Sequence, residues 1–179
     1  MTILQNNRFV IKFNNEVTGN FIRLPSRVAD VIYSSHVEIQ RFRFKLNEQW
    51  YFSWDGFDSS NDKCIEINPV LGKTLGFTTD QSILFEVEQF DALNSLLSEV
   101  HVKPLSSDDW EIAEQHSSYL QEEILNQTKI VNLGGILVCY VGNNVCRLRV
   151  ETLIPKKLQV GLIGDGSLII VEPIENKLR

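Results

Sequence analysis

Residues 105–128 read LSSDDWEIAEQHSSYLQEEILNQT, the one long helical pattern in a chain whose other apolar residues recur in short alternating runs. Ser106 or Ser107 offers a hydroxyl that can accept from the orphan amides of a first turn, and Asp108, Asp109 and Glu111 suit the positive end of a helix dipole. At about 100° per residue, Trp110, Ala113, Ser117, Leu120 and Ile124 fall on one stripe, flanked by Ile112, His116 and Tyr119. Glu111, Glu114, Gln115, Gln121 and Glu122 fill the opposite arc. The pattern predicts a single long surface helix that buries one side against β structure.

Working outward, strands are expected on both sides of this helix. Phe9, Ile11 and Phe13 alternate along residues 8–13, and residues 21–24 give a second strand that Pro25 stops. Residues 25–34 read as a short helix with Val28, Val31 and Ile32 on one face. Between residues 37 and 46 the apolar parity changes, from Val37 and Ile39 to Phe42, Phe44 and Leu46, which predicts a bulge near Gln40. Trp50, Phe52 and Trp54 alternate before a polar loop over residues 55–63; strands at 64–67 and 83–87 flank a short helix at 69–75. Beyond residues 97–103 and the long helix come strands at 136–141, 145–153, 158–163 and 168–171, with Asn143-Asn144 and Gly164-Asp165-Gly166 as tight turns. The result is a mainly β fold with short helices and one long helix, in two small barrel-like lobes divided near residues 96 and 97.

Composition narrows the function. The chain has 179 residues, 43% of them hydrophobic, and a net charge of -6, so it can form a core but lacks the basic field that general nucleic-acid binding requires. No apolar run approaches the roughly 20 residues of a membrane span, and the opening MTILQNNRF has no signal-peptide core. Cys64, Cys139 and Cys146 lie in apolar strand-like runs and are odd in number, which predicts unpaired core thiols and a reducing, cytosolic setting.

Motif chemistry is sparse. Gly72-Lys73-Thr74 lacks the glycine that a phosphate-binding loop needs five positions earlier, where Ile67 stands, so a helix-ending segment with a solvated lysine is the better reading. Asp108, Asp109 and Glu111 read as helix-start residues rather than an acid–base pair. His36, His101 and His116 have no cysteine or aspartate at metal-ligand spacing. Arg41, Arg43 and Lys45 alternate and share one strand face opposite Phe42 and Phe44; the face is either an ordinary solvated one or a patch for phosphoinositides or an acidic ligand. Trp50, Phe52 and Trp54 read first as core and second as the floor of a binding groove.

Several stretches together carry a family resemblance: GNFIRLP at 19–25, FSWDG at 52–56, INPVL at 67–71, SDDWEI at 107–112, ILNQTKIV at 124–131 and DGSL at 165–168. They resemble the amino-terminal domain of the peroxisomal AAA ATPases of the peroxin-one family, related to the Cdc48-type adaptor-binding domains. The resemblance covers nearly the whole chain, and HVKP at 101–104 resembles the lobe-joining stretch of the wider group. It implies a double-psi β-barrel lobe over residues 1–96 and a smaller C-terminal β-barrel lobe over 97–179. It further implies a non-catalytic docking module without a cofactor of its own, ATP and Mg being handled by the remainder of such proteins. The partners it implies are a protein adaptor, receptor or membrane anchor at the cytosolic face of the peroxisome and peroxin six in a hetero-oligomeric ring that recycles import receptors. Phosphoinositides are the alternative ligand, and no nucleic acid is implied. By position in the related domains, Ile22, Trp50, Phe52, Leu96 and Thr128 would face a partner-binding groove between the lobes.

Overall fold

The computed structural model describes the backbone of residues 2–175 and the side chains of residues 7–175. Strands β1 (Thr2–Phe13), β2 (Phe21–Leu24), β3 (Phe42–Leu46), β4 (Trp50–Asp58), β5 (Cys64–Ile67) and β6 (Ser82–Gln89) close into a barrel in the order β1-β5-β2-β4-β3-β6. β1 runs parallel to β5 and β2 parallel to β4, while the other neighbours are antiparallel. Two parallel pairs inside one closed ring require the chain to cross over itself, as in a double-psi barrel. The period-2 alternation fills the ring: Phe9, Ile11, Phe42, Phe44, Phe52, Ile83 and Phe85 all point inward and are buried. Phe85 meets Phe9 edge-on at 5.2 Å and stacks on Phe44 at 6.0 Å.

Helices α1 (Ser26–Ser34) and α2 (Pro69–Thr74) cover the barrel. Asn68 starts α2 by accepting from Val70 and Leu71, and a side chain at Gly72 would collide with the Phe13 ring at 2.5 Å. Gly72 is therefore a packing glycine inside the helix, where a helix-ending glycine was expected. On α1 the buried residues are Val28, Ala29 and Ile32; Val31, expected on that face, is 40% exposed. The bulge expected near Gln40 is a 3-10 turn, Ile39–Arg41, and β4 runs on to Asp58 where a loop was expected.

The second lobe is a four-stranded sheet of β7 (Glu99–Pro104), β9 (Ile136–Val141), β10 (Asn144–Ile154) and β12 (Leu168–Val171), ordered β12-β7-β10-β9. A two-stranded sheet of β8 (Ile130–Asn132) and β11 (Val160–Leu162) accompanies it. The long helix is two helices, α3 (Ser107–Gln115) and α4 (Leu120–Gln127). Helical geometry fails at His116 (φ -111, ψ 15) and Tyr119 (φ -135, ψ 1). Ser117 and Ser118 lie between them, and serine competes with helical hydrogen bonding through its own hydroxyl. The apolar stripe nevertheless continues across the break: Ala113, Leu120 and Ile124 are buried against Val102, Leu137 and Leu148. Ser117 is exposed and Trp110 only half-buried.

Candidate functional site

Where the lobes meet, asparagine side chains take the place of backbone partners. Asn20, in the turn before β2, accepts from the Val138 amide at 2.8 Å and donates to the Val138 carbonyl at 3.0 Å and to Thr128 Oγ1 at 2.7 Å. Asn132 on β8 repeats the device against β4, accepting from the Tyr51 amide at 2.9 Å and donating to its carbonyl at 2.8 Å. Asn68 donates to the Tyr140 hydroxyl at 3.0 Å. Gly19 adopts φ +61, and a side chain there would run into the carbonyl oxygen of Gln127. Buried amides carry a large desolvation cost unless paired, so these contacts define one relative placement of the lobes.

Beside this junction lies an open cleft of about 290 Å³ lined mostly by Ile39, Phe42, Trp54, Leu96, Ile130 and Leu162. Leu96 is 50% exposed and sits in a bridge with Leu162, so the segment leaving the barrel is stitched to the second lobe at the cleft wall. Tyr33 packs edge-on against Trp54 at 5.7 Å and is itself 56% exposed. Three polar residues, Gln40, Lys129 and Ser53, also line this cleft. Lys129 is exposed and has no ion pair among the described residues, and Ser53 Oγ is buried with no hydrogen-bond partner.

The expected groove residues divide sharply. Leu96 lines the cleft. Ile22 is fully buried in the barrel core and Phe52 is 3% exposed there, because both have the inward parity of their strands. Thr128 is also fully buried, its hydroxyl taken by Asn20. Trp50 packs against Gly135 on the far side of the junction, where the residual space is about 10 Å³. Ile22, Phe52 and Thr128 offer a ligand no surface, and Trp50, half-buried, lies outside the cleft that Leu96 lines. Trp54, read second as the floor of a binding groove, does line the cleft, whereas Ile39 and Lys129 are cleft residues that sequence reasoning did not single out.

The basic stripe is compensated. Arg43 pairs with Glu88 at 3.0 Å, and Lys45 with Glu86 at 3.2 Å and Glu88 at 3.3 Å. Burial works against the charge on Glu88, but Arg43 and Lys45 together hold its carboxyl below the usual range. Arg41 belongs to the 3-10 turn, apart from the strand face of the other two, and meets Glu38 at 3.7 Å.

Chemistry elsewhere is structural. Cys64, Cys139 and Cys146 are free and buried, and burial pushes the thiols of Cys139 and Cys146 up to about 12, far from thiolate reactivity. Asp109 is buried at the start of α3, where it binds the Arg147 guanidinium at 2.9 Å and the Arg147 amide at 2.8 Å. Among the described residues no three His, Cys, Asp or Glu side chains gather as a metal site, and no helix is long and apolar enough to cross a membrane.

Residues 98–173 match the family model described as peroxisome biogenesis factor 1, N-terminal. The peroxisomal ATPase PEX1 of Saccharomyces cerevisiae is 34% identical over 178 residues, covering 94% of this chain and 17% of that protein. PEX1 of Dictyostelium discoideum is 33% identical over 134 residues, covering 72% and 10%, and that of Homo sapiens 29% identical over 157 residues, covering 84% and 12%. The chain thus spans less than a fifth of the length of these relatives.

Proposed function

The chain belongs to the family of peroxisome biogenesis factor 1 N-terminal domains, and on that footing we propose that it is a docking domain, which holds a protein partner in the cleft between its lobes. The observation that carries this reading is the cleft itself. Leu96, Ile39 and Tyr33 leave large apolar surface exposed around a wall of Trp54 and Leu162, while among the described residues Lys129 has no ion pair and Ser53 Oγ no hydrogen-bond partner. Aromatic and aliphatic anchors with a few polar groups are what a protein-binding hot spot requires. The partner is an adaptor, receptor or membrane anchor at the cytosolic face of the peroxisome. In this reading ATP turnover and assembly with peroxin six belong to other parts of the longer relatives, and this chain supplies recruitment, not catalysis.

The test is a crosslinking pull-down from peroxisomal membranes with the wild-type chain, Leu96→Arg and Ile39→Arg. Both positions are exposed, so both variants should keep the unfolding midpoint of the parent while losing the crosslinked protein. Retention of every partner by both variants removes the cleft from the account. The phosphoinositide alternative would instead appear as vesicle sedimentation that depends on acidic lipid and is lost on charge reversal at Arg41. The Glu86 and Glu88 partners of Lys45 and Arg43 speak against that outcome.

A further inference from the structure

A second cleft lies on the opposite type of surface, at the edge of a sheet. β12 is the outermost strand of the four-stranded sheet, and among the described residues it pairs on one side only, with β7. The pairing is parallel, so alternate residues turn their backbone groups to the neighbour: Leu168 donates to Ser98 at 2.9 Å and Glu172 to Val102 at 2.8 Å. Ile169 and Val171 therefore direct N–H and C=O away from the sheet. The Ile169 amide is met by the side chain of Gln121, at 3.0 Å from Oε1, but the outward amide of Val171 has no such partner among the described residues. An unpaired edge of this kind is a template for another strand.

Against this edge opens a cleft of about 290 Å³, walled by Trp110, Leu120 and Ile124 of α3 and α4 and by Ile169 and Val171 of β12, with Glu114 at its mouth. The helical segment beside it carries charge of one sign. Residues 105–128 contain six carboxylates and no lysine or arginine. Of the six, only Asp109 is ion-paired among the described residues, which leaves Asp108, Glu111, Glu114, Glu122 and Glu123 uncompensated.

We propose that the free edge of β12 and the cleft beside it receive an extended, basic segment of a partner protein, which adds to the sheet as a further strand. Such a segment alternates apolar side chains with lysine or arginine. Successive side chains of a strand point to opposite faces, so one parity enters the apolar cleft. Lysine or arginine stems at the margins reach Glu114 and the acidic arc of the helices, which gives the site its sign preference. Gln121 is a placeholder in this arrangement: its Oε1 holds the hydrogen bond that an incoming carbonyl takes over. The site is separate from the inter-lobe cleft and does not depend on the function proposed for it.

The experiment uses the 179-residue chain and a fluorescein-labelled short peptide alternating leucine and lysine, followed by anisotropy. Two control peptides replace lysine by glutamate or interrupt the same composition with proline. The leucine–lysine peptide is expected to bind, and both controls to fail. Glu114→Lys, at an exposed position without an ion-pair partner among the described residues, should raise Kd roughly five- to tenfold. Val171→Pro removes the outward donor and should do at least as much; Glu114→Lys keeps the test decisive if the proline variant misfolds. Leu96→Arg should leave Kd unchanged. Absence of binding, equal binding of either control peptide, a Kd indifferent to Glu114→Lys, or loss of binding in Leu96→Arg each overturns the proposal.

Discussion

Asn20 pairs with Val138 as one strand pairs with another, one bond in each direction, although the two residues belong to different lobes. Removing that amide leaves the buried Val138 N–H and C=O unmet together with the Thr128 hydroxyl. Asn20→Ala is therefore expected to lower the unfolding free energy by about 2–4 kcal/mol, several times the cost of an exposed asparagine. Urea unfolding followed by tryptophan fluorescence measures this, and a midpoint equal to wild type would mean that water restores the junction.

Acid should weaken the joint between Asp109 and Arg147 at the start of α3. Burial raises the Asp109 carboxyl, but bonds from Arg147 and Ser106 outweigh it and hold the group below its ordinary value near 3.8. A depressed carboxyl contributes stability above its unfolded pKa and loses it as pH falls through the folded one. The wild-type chain is expected to lose stability on acidification below about pH 4, and Asp109→Asn to be less stable at neutral pH with a flatter slope in that acid window. Unfolding free energies at successive pH values decide it.

His101 works in the opposite direction. Its ring nitrogens meet Glu99 at 2.9 Å and Glu172 at 3.0 Å, and these carboxylates raise its pKa, Glu99 most. Its contribution is complete below the unfolded value near 6.5 and is lost as pH rises through the higher folded value. The ring's proton resonances should titrate above that value, and His101→Gln should remove the part of the stability that declines toward alkaline pH. A resonance midpoint below the ordinary value would contradict the contact.

Trp110 stands half-open at the cleft beside β12. Trp110→Ala is expected to cost about 1–2 kcal/mol, short of the roughly 3–5 kcal/mol of a fully buried ring. Thermal unfolding checks the figure; a loss in the larger range would place the ring in the core.

The alternating strands were legible because phenylalanine and isoleucine recur at period two with little interruption. Phe42, Phe44 and Leu46 in β3 and Ile83, Phe85 and Val87 in β6 are all buried. β8 was not legible, since Ile130-Val131-Asn132 is too short for a period to appear. The helix break escaped notice because Leu120 and Ile124 keep the phase of Ala113 across His116–Tyr119, so a tertiary surface imitates one continuous helix. The same parity rule that predicts burial for Ile22 and Phe52 works against seating them in a groove: an inward strand residue of a closed barrel has no second face to offer. Cleft residues come instead from the segment between barrel and sheet, at Leu96, and from the turn at Ile39, where local pattern is weakest. The asparagine joints carry no periodic signal at all, because Asn20, Asn68 and Asn132 are defined by partners more than seventy residues away in the chain.

Strand order also sets a timetable for synthesis. The barrel is complete once β6 has emerged at Gln89, whereas the second sheet waits for β12, which ends at Val171 and pairs with β7. At roughly 5–20 residues per second a ribosome takes several seconds to cover that distance, during which the barrel stands alone. Its unmatched side then presents the amides of Asn20 and Asn68 and the Tyr51 backbone to water, which hydrates them without penalty. A joint made of amides keeps part of the nascent barrel's waiting surface wet until its second half arrives.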